Sequence, residues 1–328
     1  MKKRITSKEL ARVVGVSSAT ISRAFSPDGR INEETRARVL AMAEHYGYQP
    51  NAIARTLNNR RSGLVAVVVN AIGNQCEAEQ LQQLVHRLQA RSLVPIILCC
   101  GDATDRLQLM RLASTYQVDH AVIISDLVPL KDAVQIFKTI SPIIVSAEPI
   151  EDTNVSCVLV DGAEASSQII DKLVGDGRKH FAYLCGRNSS WIDKRRRNWF
   201  SGALARHGFA FEAEGHGDYS YDSGFKEAAL LLRRSKVDAL LCGNDVMAIG
   251  ARDAAVRLLD RRVPGDLAIV GQDGIEMAAW ECHDLTTLAL DPVVFIDAIT
   301  RLIERKATGA GAASTTVIKC TVRWGSTA

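Results

Sequence analysis

Three sets of residues in this 328-residue chain could carry chemistry: eight cysteines, scattered carboxylates, and a run of Arg, Lys, Ser and Thr near the N-terminus. The cysteines stand at 76, 99, 100, 157, 185, 242, 282 and 320, with no Cys-x-x-Cys and no zinc-finger spacing. Most lie in apolar runs such as Ile97-Leu98-Cys99-Cys100, so buried reduced thiols and a cytoplasmic setting are expected. There is no Gly-x-Gly-x-x-Gly, no P-loop, no Gly-x-Ser-x-Gly and no metal-ligand cluster. Asp161 and Asp273 could be paired acids, but carboxylates at strand ends suit hydroxyl binding better. The chain is therefore expected not to be an enzyme and to need neither cofactor nor metal.

The basic run is more telling. Residues 1–61 hold 12 Lys or Arg against 5 Asp or Glu, whereas the remainder holds 28 against 32. A basic end on a mildly acidic body points to a polyanionic partner for that end. No apolar run approaches the ~20 residues that span a bilayer, so no membrane partner is expected, and no secretory signal is visible.

Local signals place these residues. Thr6-Ser7-Lys8-Glu9 fits a capping box, and Leu10, Val13 and Val14 follow at helical spacing. Gly15 breaks that helix; Ser17 can cap a second, from Ser18 to about Phe25. This is a helix-turn-helix pattern. Asn32, then Glu33 and Glu34, opens a third helix that Gly47 ends. Pro50 leads into a two-turn segment, Asn51 to Asn58, too short to hold helical form alone in water. From Leu64 the rhythm changes. Apolar runs at 64–69, 94–100, 120–125, 142–147 and 155–160 alternate with helices near 77–91, 104–116 and 129–140. A second series has strands at 181–186, 239–243, 267–271 and 285–290, with helices near 163–176, 194–207, 222–234 and 245–260. Continuous apolar strands with crossover helices predict parallel sheets covered on both faces, and ligands beyond the strands' carboxyl ends.

The words ITSKELARVVGVSSATISRAF, NEETRARVL, GYQPNAIARTL, CGNDVMAIGARDAA, RRVPGDLAIVGQD and LTTL, with TVRWGST at the end, closely resemble the LacI/GalR family of bacterial transcription regulators. The resemblance implies an all-α helix-turn-helix headpiece plus an α/β body of two doubly wound parallel-sheet subdomains, like a type I periplasmic binding protein. It divides the chain into residues 1–49 (DNA-binding), 50–62 (hinge) and 63–328 (body). The body's N-subdomain takes about 63–161 plus 291–318, its C-subdomain about 162–290 plus 319–328. Implied partners are a pseudo-palindromic double-stranded operator, a small-molecule effector and a second copy of the chain. No heptad pattern after residue 310 suggests a tetramerisation tail.

By position, Ser18 and Ala19 resemble the principal base readers and Arg23 an arginine reaching a base edge, where a guanidinium fork suits guanine. Ser7 and Lys8 match further groove-facing positions. Thr6, Ser17, Thr20, Asn32 and Thr35 match phosphate-holding residues; Thr6, Ser17 and Asn32 read equally as helix caps. In the hinge, Asn51 and Ala54 match DNA-facing positions and Leu57 the minor-groove wedge, with packing on the body as its other reading.

Effector contacts are implied for Asp161, Arg196, Tyr219, Asn244 and Asp273, with Ser190 and Gln75 as further candidates. Arg196 and Asp273 read also as a structural ion pair, Asn244 as a cap, and the neighbours Arg195 and Arg197 leave the register open by one residue. The family's usual Asn-Pro-Phe-Phe after the first body strand is here Gly73-Asn74-Gln75-Cys76, and His283 replaces a usual Pro. The missing aromatic wall leaves Trp191 and Trp280 as substitutes or as packing residues. Arg and several polar groups favour a sugar, polyol or sugar acid. The competing readings are a cytosolic sugar-binding protein and a sugar-processing enzyme, both without DNA function.

The wedge assignment is testable: Leu57→Ala is expected to weaken operator binding and reduce DNA bending in a circular-permutation gel while leaving effector affinity nearly unchanged. Full bending by that variant would remove the wedge.

Overall fold

A computed structural model describes residues 5–26, 29–50, 61–73, 75–101, 105–124, 128–148, 154–187, 190–307 and 313–328. The chain divides into two compact units, residues 1–63 and 64–328.

In the first unit α1 (Ser7–Val14), α2 (Ser18–Ala24) and α3 (Glu33–His45) enclose Leu10, Ala11, Val14, Ile21, Ala24, Val39 and Ala43. Each helix starts on the cap its sequence announces. The Thr6 hydroxyl accepts from the Glu9 N–H at 3.3 Å, and the Glu9 carboxylate accepts from the Thr6 N–H at 2.7 Å. The Ser17 hydroxyl accepts from Thr20 N–H, and Asn32 Oδ1 from Glu34 N–H. Gly15 ends α1 at φ 74, a left-handed conformation that glycine adopts without a Cβ penalty. Arg36 was not legible as structural. Its guanidinium donates to the carbonyls of Ala24 (2.7 Å), Ser26 (3.1 Å) and Gly29 (2.6 Å), fixing the end of α2 to α3. The hinge residues Asn51, Ala54 and Leu57 lie outside the described residues.

The second unit holds two six-stranded sheets. The first contains β1 (Leu64–Val69), β2 (Val94–Cys99), β3 (His120–Ile123), β4 (Ile143–Val145), β5 (Ser156–Asp161) and a late strand, β11 (Thr315–Lys319), in the order β11-β5-β4-β3-β1-β2. The second contains β6 (Phe181–Cys185), β7 (Phe211–His216), β8 (Ala239–Cys242), β9 (Ala268–Asp273), β10 (Thr286–Ala289) and β12 (Thr321–Arg323), in the order β12-β10-β9-β8-β6-β7. All pairings are parallel except β10 with β12. Helices α4 (Gln75–Gln89), α5 (Arg106–Thr115) and α6 (Leu130–Ile136) connect the first series. Helices α7 (Ala163–Gly175), α8 (Trp191–Arg206), α9 (Tyr221–Arg234) and α10 (Asp245–Leu259) serve the second, and α11 (Pro292–Ala307) returns to the first sheet.

Both sheets are buried on two faces, which is why their strands read as apolar runs rather than alternations. Val65, Val67 and Val69 face α4 and α11, while Ala66 and Val68 face α5 and Phe137. In the second sheet Leu184, Leu240 and Ile269 face α9 and α10, and Phe181, Tyr183 and Leu241 face α7 and α8. The chain crosses between sheets after β5, after β10 and between β11 and β12, at residues 161–163, 289–292 and 319–321.

Some elements differ from the sequence reading. Strand β7 (FEAEGH), β11 (TTVIK) and β12 (TVR) were not expected: each is a short edge strand with polar positions, stabilised by its partner rather than by its own pattern. Helix α11 did carry a signal, Pro at its first position and Phe295, Ile296, Ile299, Leu302 and Ile303 at helical spacing. The cysteines are not uniformly buried. All eight are unbridged, but Cys99 and Cys282 are exposed and Cys76 and Cys320 half-buried.

Two glycines let α9 and α10 approach. A Cβ on Gly250 would lie 2.3 Å from the Tyr221 carbonyl oxygen and 2.8 Å from the Phe225 nitrogen, and one on Gly224 would lie 2.4 Å from the Met247 oxygen. These are backbone atoms, so no side-chain rotation relieves the overlap. Gly250→Ala is expected to destabilise residues 64–328 by about 1–3 kcal/mol in urea unfolding.

Candidate functional site

On the first unit, α2 presents Ser18, Ala19 and Arg23 to solvent, while Ile21 and Ala24 turn into the core. Thr6, Ser17 and Asn32 are exposed caps at three helix starts, where unpaired N–H groups favour anions. Thr20 pairs its hydroxyl with Ser17 at 2.9 Å. Thr35 lies in the first turn of α3, and Ser7 and Lys8 open α1. Cap and phosphate holder are compatible roles for the same oxygen, since the cap satisfies only one of several N–H groups.

On the second unit a cavity of about 110 Å³ lies between the sheets, at the carboxyl ends of β1, β3, β4 and β5 on one side and β6, β8, β9 and β10 on the other. Arg196, Tyr219, Asn244 and Asp273 line it together. Arg196 donates to Asp273 at 2.5 Å and to the Gly243 carbonyl at 2.9 Å. Arg195 instead lies over the rings of Trp191 and Trp199 at 5.3 and 5.7 Å, and Arg197 pairs with Glu214. The middle arginine is therefore the one that faces the cavity. Burial would depress the Arg196 pKa, but Asp273 and Tyr219 reverse it and leave it raised. Burial pushes the Asp273 carboxyl up, opposed by Arg196. The two stay an ion pair because each is the other's compensation for lost water.

Two of these residues have unusual backbones: Tyr219 has φ 73 and Asp273 φ 120. Such conformations cost on the order of 1–3 kcal/mol and need neighbours to hold them. The start of α10 does so. Asn244 accepts the Met247 N–H as its cap and donates through Nδ2 to the Tyr219 carbonyl at 3.1 Å. Asp245, fully buried, accepts the Gly274 N–H at 2.7 Å, the Ile275 N–H at 2.9 Å and the Thr287 hydroxyl at 2.5 Å. Gly186 leaves room for the Tyr219 ring, since a Cβ there would sit 2.0 Å from it. The Tyr219 hydroxyl donates to Ser190, which caps α8. Below lies a buried layer in which Asp193 accepts from Gly186 N–H and Tyr183 OH, and Gln272 donates to Tyr183 OH and the Cys242 carbonyl.

Three candidates sit beside the cavity rather than in its lining. Asp161 caps the turn into α7 by accepting Ala163 N–H at 3.1 Å, while its neighbours Val160 and Cys320 line the space. Gln75 donates to Glu79, and Cys76, one residue on, takes the lining position. Ser190 acts through Tyr219. The aromatic wall comes from neither Trp191 nor Trp280 but from Trp199, whose ring packs where a Cβ on Gly162 would be 2.7 Å away. Trp199 sits at i+3 from Arg196, so the helix that supplies the arginine supplies the wall. Glu77, Gln80 and Arg187 also line the cavity and were not anticipated. Among the described residues no group of three His, Cys, Asp or Glu could hold a metal, and no helix is long and apolar enough to cross a membrane.

Residues 6–51 match the model of bacterial regulatory proteins of the lacI family, and residues 170–328 match that of a periplasmic binding protein-like domain. The chain is 30% identical to catabolite control protein A of Priestia megaterium over 304 residues, 90% of each chain. It is 26% identical to the HTH-type transcriptional repressor CytR of Escherichia coli over 288 residues, 87% of this chain and 84% of that protein. In fold it is similar to the lac repressor dimer bound to operator and the anti-inducer ONPF, with a TM-score of 0.88, 22% identity and 99% of both chains covered. It is also similar to the regulator CelR in complex with cellobiose, with a TM-score of 0.73, 22% identity, and 99% of this chain and 100% of that one covered.

Asp245 gives a pH signature. Burial, with Asp273 adding to it, raises its pKa to about 7, against the three hydrogen bonds it accepts. A carboxyl whose folded pKa exceeds its unfolded value binds its proton more tightly when folded. Its stabilising contribution is complete at acid pH and is lost as pH rises through the folded value. Relative to Asp245→Asn, the wild-type chain is expected to lose up to about 4 kcal/mol between about pH 4 and pH 7 in urea unfolding, with no further divergence above that window.

Proposed function

This chain belongs to the LacI family of bacterial regulatory proteins, and from that premise we propose that it is a transcriptional repressor that binds operator DNA and answers to a small molecule in the cavity of its body. The reading rests above all on one observation: Arg196, Tyr219, Asn244 and Asp273, far apart in sequence, line a single cavity at the strand ends of both sheets.

In this reading residues 1–49 are the DNA reader, 50–62 the hinge and 63–328 the effector-binding and dimerising body. Helix α2 enters the major groove, with Ser18, Ala19 and Arg23 at base edges and Ser7 and Lys8 nearby. The exposed caps Thr6, Ser17 and Asn32, with Thr20 and Thr35, hold phosphates and set register and salt dependence. Asn51, Ala54 and Leu57 engage the minor groove when the hinges of two copies pair, which makes dimerisation part of DNA binding. The lac repressor structure is that of a dimer bound to operator, and the CelR structure is a complex with cellobiose. By analogy the effector here is a sugar, polyol or sugar acid.

Control follows from differential affinity. An effector that prefers one arrangement of the two subdomains shifts the population toward it by no more than that preference, and operator affinity changes by linkage. Arg196 is well placed to report occupancy, because a ligand that competes for it must reorganise the Asp273 pair. The protein works in the cytoplasm without catalysis.

Genome-wide DNA footprinting with and without a panel of sugars tests the whole reading, and specific protection modulated by at least one panel member is the expected result. Arg196→Ala is expected to abolish the ligand response, by at least tenfold in half-maximal concentration, while the protein still retards operator DNA. An intact response in that variant would remove Arg196 from the site.

A further inference from the structure

The charges of the cavity are not equally answered. Arg196 is paired with Asp273 and also donates to Gly243. Glu77 accepts from the Asn70 amide at 3.4 Å and from Ala71 N–H at 3.3 Å. Arg187 is different. It lines the same cavity, yet no carboxylate lies within 4 Å of its guanidinium among the described residues. Its contact is the face of Tyr219, with the guanidinium carbon 5.5 Å from the ring centroid. Asp218 is close enough for Arg187 to help hold its carboxyl below the ordinary range. Asp218's own hydrogen bonds come first in that effect, through Ser220 and Ser223, so its carboxylate serves the turn into α9.

A stacked guanidinium keeps its in-plane N–H donors free, because the ring occupies only its face. Such a fork is matched by a carboxylate or a phosphate, which it can grip through two parallel hydrogen bonds. On the cavity wall, Gln272 is fully buried with its amide nitrogen engaged by the Cys242 carbonyl. That acceptor fixes which end of the amide is nitrogen, and Gln272 Oε1 has no partner among the described residues. A ligand there would need a hydroxyl or N–H donor. Among the described residues the cavity thus offers a cation without a carboxylate partner, an aromatic ring and an acceptor without a donor.

We propose that Arg187 forms an anion subsite and that the effector is a small polyhydroxylated anion, a sugar acid or a sugar phosphate, rather than a neutral sugar. This deepens, and rests on, the assignment of the cavity as the effector site. The Tyr219 hydroxyl is anchored on Ser190 and its carbonyl on Asn244, so the ring that carries Arg187 is fixed before the ligand arrives. The subsite is preorganised at a residue whose positive φ is held by Asn244.

Isothermal titration of the full chain with matched probes tests this: glucose, gluconate and glucose 6-phosphate, galactose and galacturonate, and inorganic phosphate alone, each at low and high salt. At least one anionic probe is expected to bind tenfold or more tighter than its neutral parent, with affinity falling as salt rises. Arg187→Gln is expected to erase that preference and Arg187→Lys to keep part of it; the gluconate and glucose 6-phosphate arms show which anion is taken. Equal or tighter binding of the neutral sugars overturns the proposal, as does a preference that survives in Arg187→Gln, or an absence of binding by every anionic probe, phosphate included. Neutral sugars that bind as tightly as their anions, and lose that binding in Arg196→Ala, would overturn the anion subsite while leaving the cavity as the effector site, so the two failures are distinct.

Discussion

The body depends on the dipeptide Asn244-Asp245 at the start of α10. Asn244 holds the carbonyl of Tyr219, and Asp245 holds the two N–H groups that follow Asp273. Both restrained residues have positive φ, and both line the cavity. Without these bonds the segments would relax toward ordinary backbone angles and the cavity would lose its ring and its carboxylate together. The arrangement places a buried carboxyl beside a second one, Asp273, and is tolerated because Arg196 neutralises the second and three donors surround the first. Gly271 makes room for Asp245, since a Cβ there would lie 2.1 Å from its oxygen.

Arg196 ties this arrangement to the rest of the cavity. Breaking a buried pair by removing one member typically costs 3–5 kcal/mol, because the remaining charge has no water. A ligand that takes part of the hydrogen bonding of Arg196 must replace what it displaces, which selects for ligands rich in polar groups. The same helix presents Ile192 and Trp199 to the cavity, so polar grip and apolar wall move as one body. The chain crossings between the sheets pass beside it: Val160, Leu290 and Cys320 all line the cavity near a crossing. A molecule there touches both subdomains and the segments that join them, the geometry that differential binding requires.

The family resemblance named several residues that line the cavity and passed over others for identifiable reasons. Arg196, Tyr219, Asn244 and Asp273 were recognisable from their motifs, and the structure joins them at one cavity. The structure also shows that alternatives set against one another are compatible: Arg196 and Asp273 are an ion pair and line the cavity, and Asn244 is a cap and lines the cavity. Asp161 stands one residue from the lining, at a strand end whose last side chain points away into the turn of α7. Gln75 misses for the reason of helical phase: Cys76 occupies the angle that faces the cavity. Trp199 and Arg187 carried no motif, because an isolated aromatic or basic residue has many equally good explanations until its neighbours are known.

Taken alone, the sequence determined what local physics governs. Caps at Thr6, Ser17 and Asn32 and the Gly15 break define the three-helix unit, since a cap is satisfied by residues two or three positions away. Apolar runs and helical periods marked the strand and helix series of the body, since burial on both faces leaves that imprint on consecutive residues. Tertiary structure decided what depends on distant partners. Edge strands β7, β11 and β12 exist because a neighbouring strand completes their hydrogen bonds. Which of three consecutive arginines faces the cavity was settled by Glu214, Trp191 and Trp199 drawing the other two away. That Tyr219 and Asp273 hold left-handed backbones was settled by Asn244 and Asp245, whose bonds to Tyr219 and Gly274 span 25 and 29 residues. Charge, hydrogen bonding and steric exclusion act through space, and these residues become neighbours only once the sheets have formed.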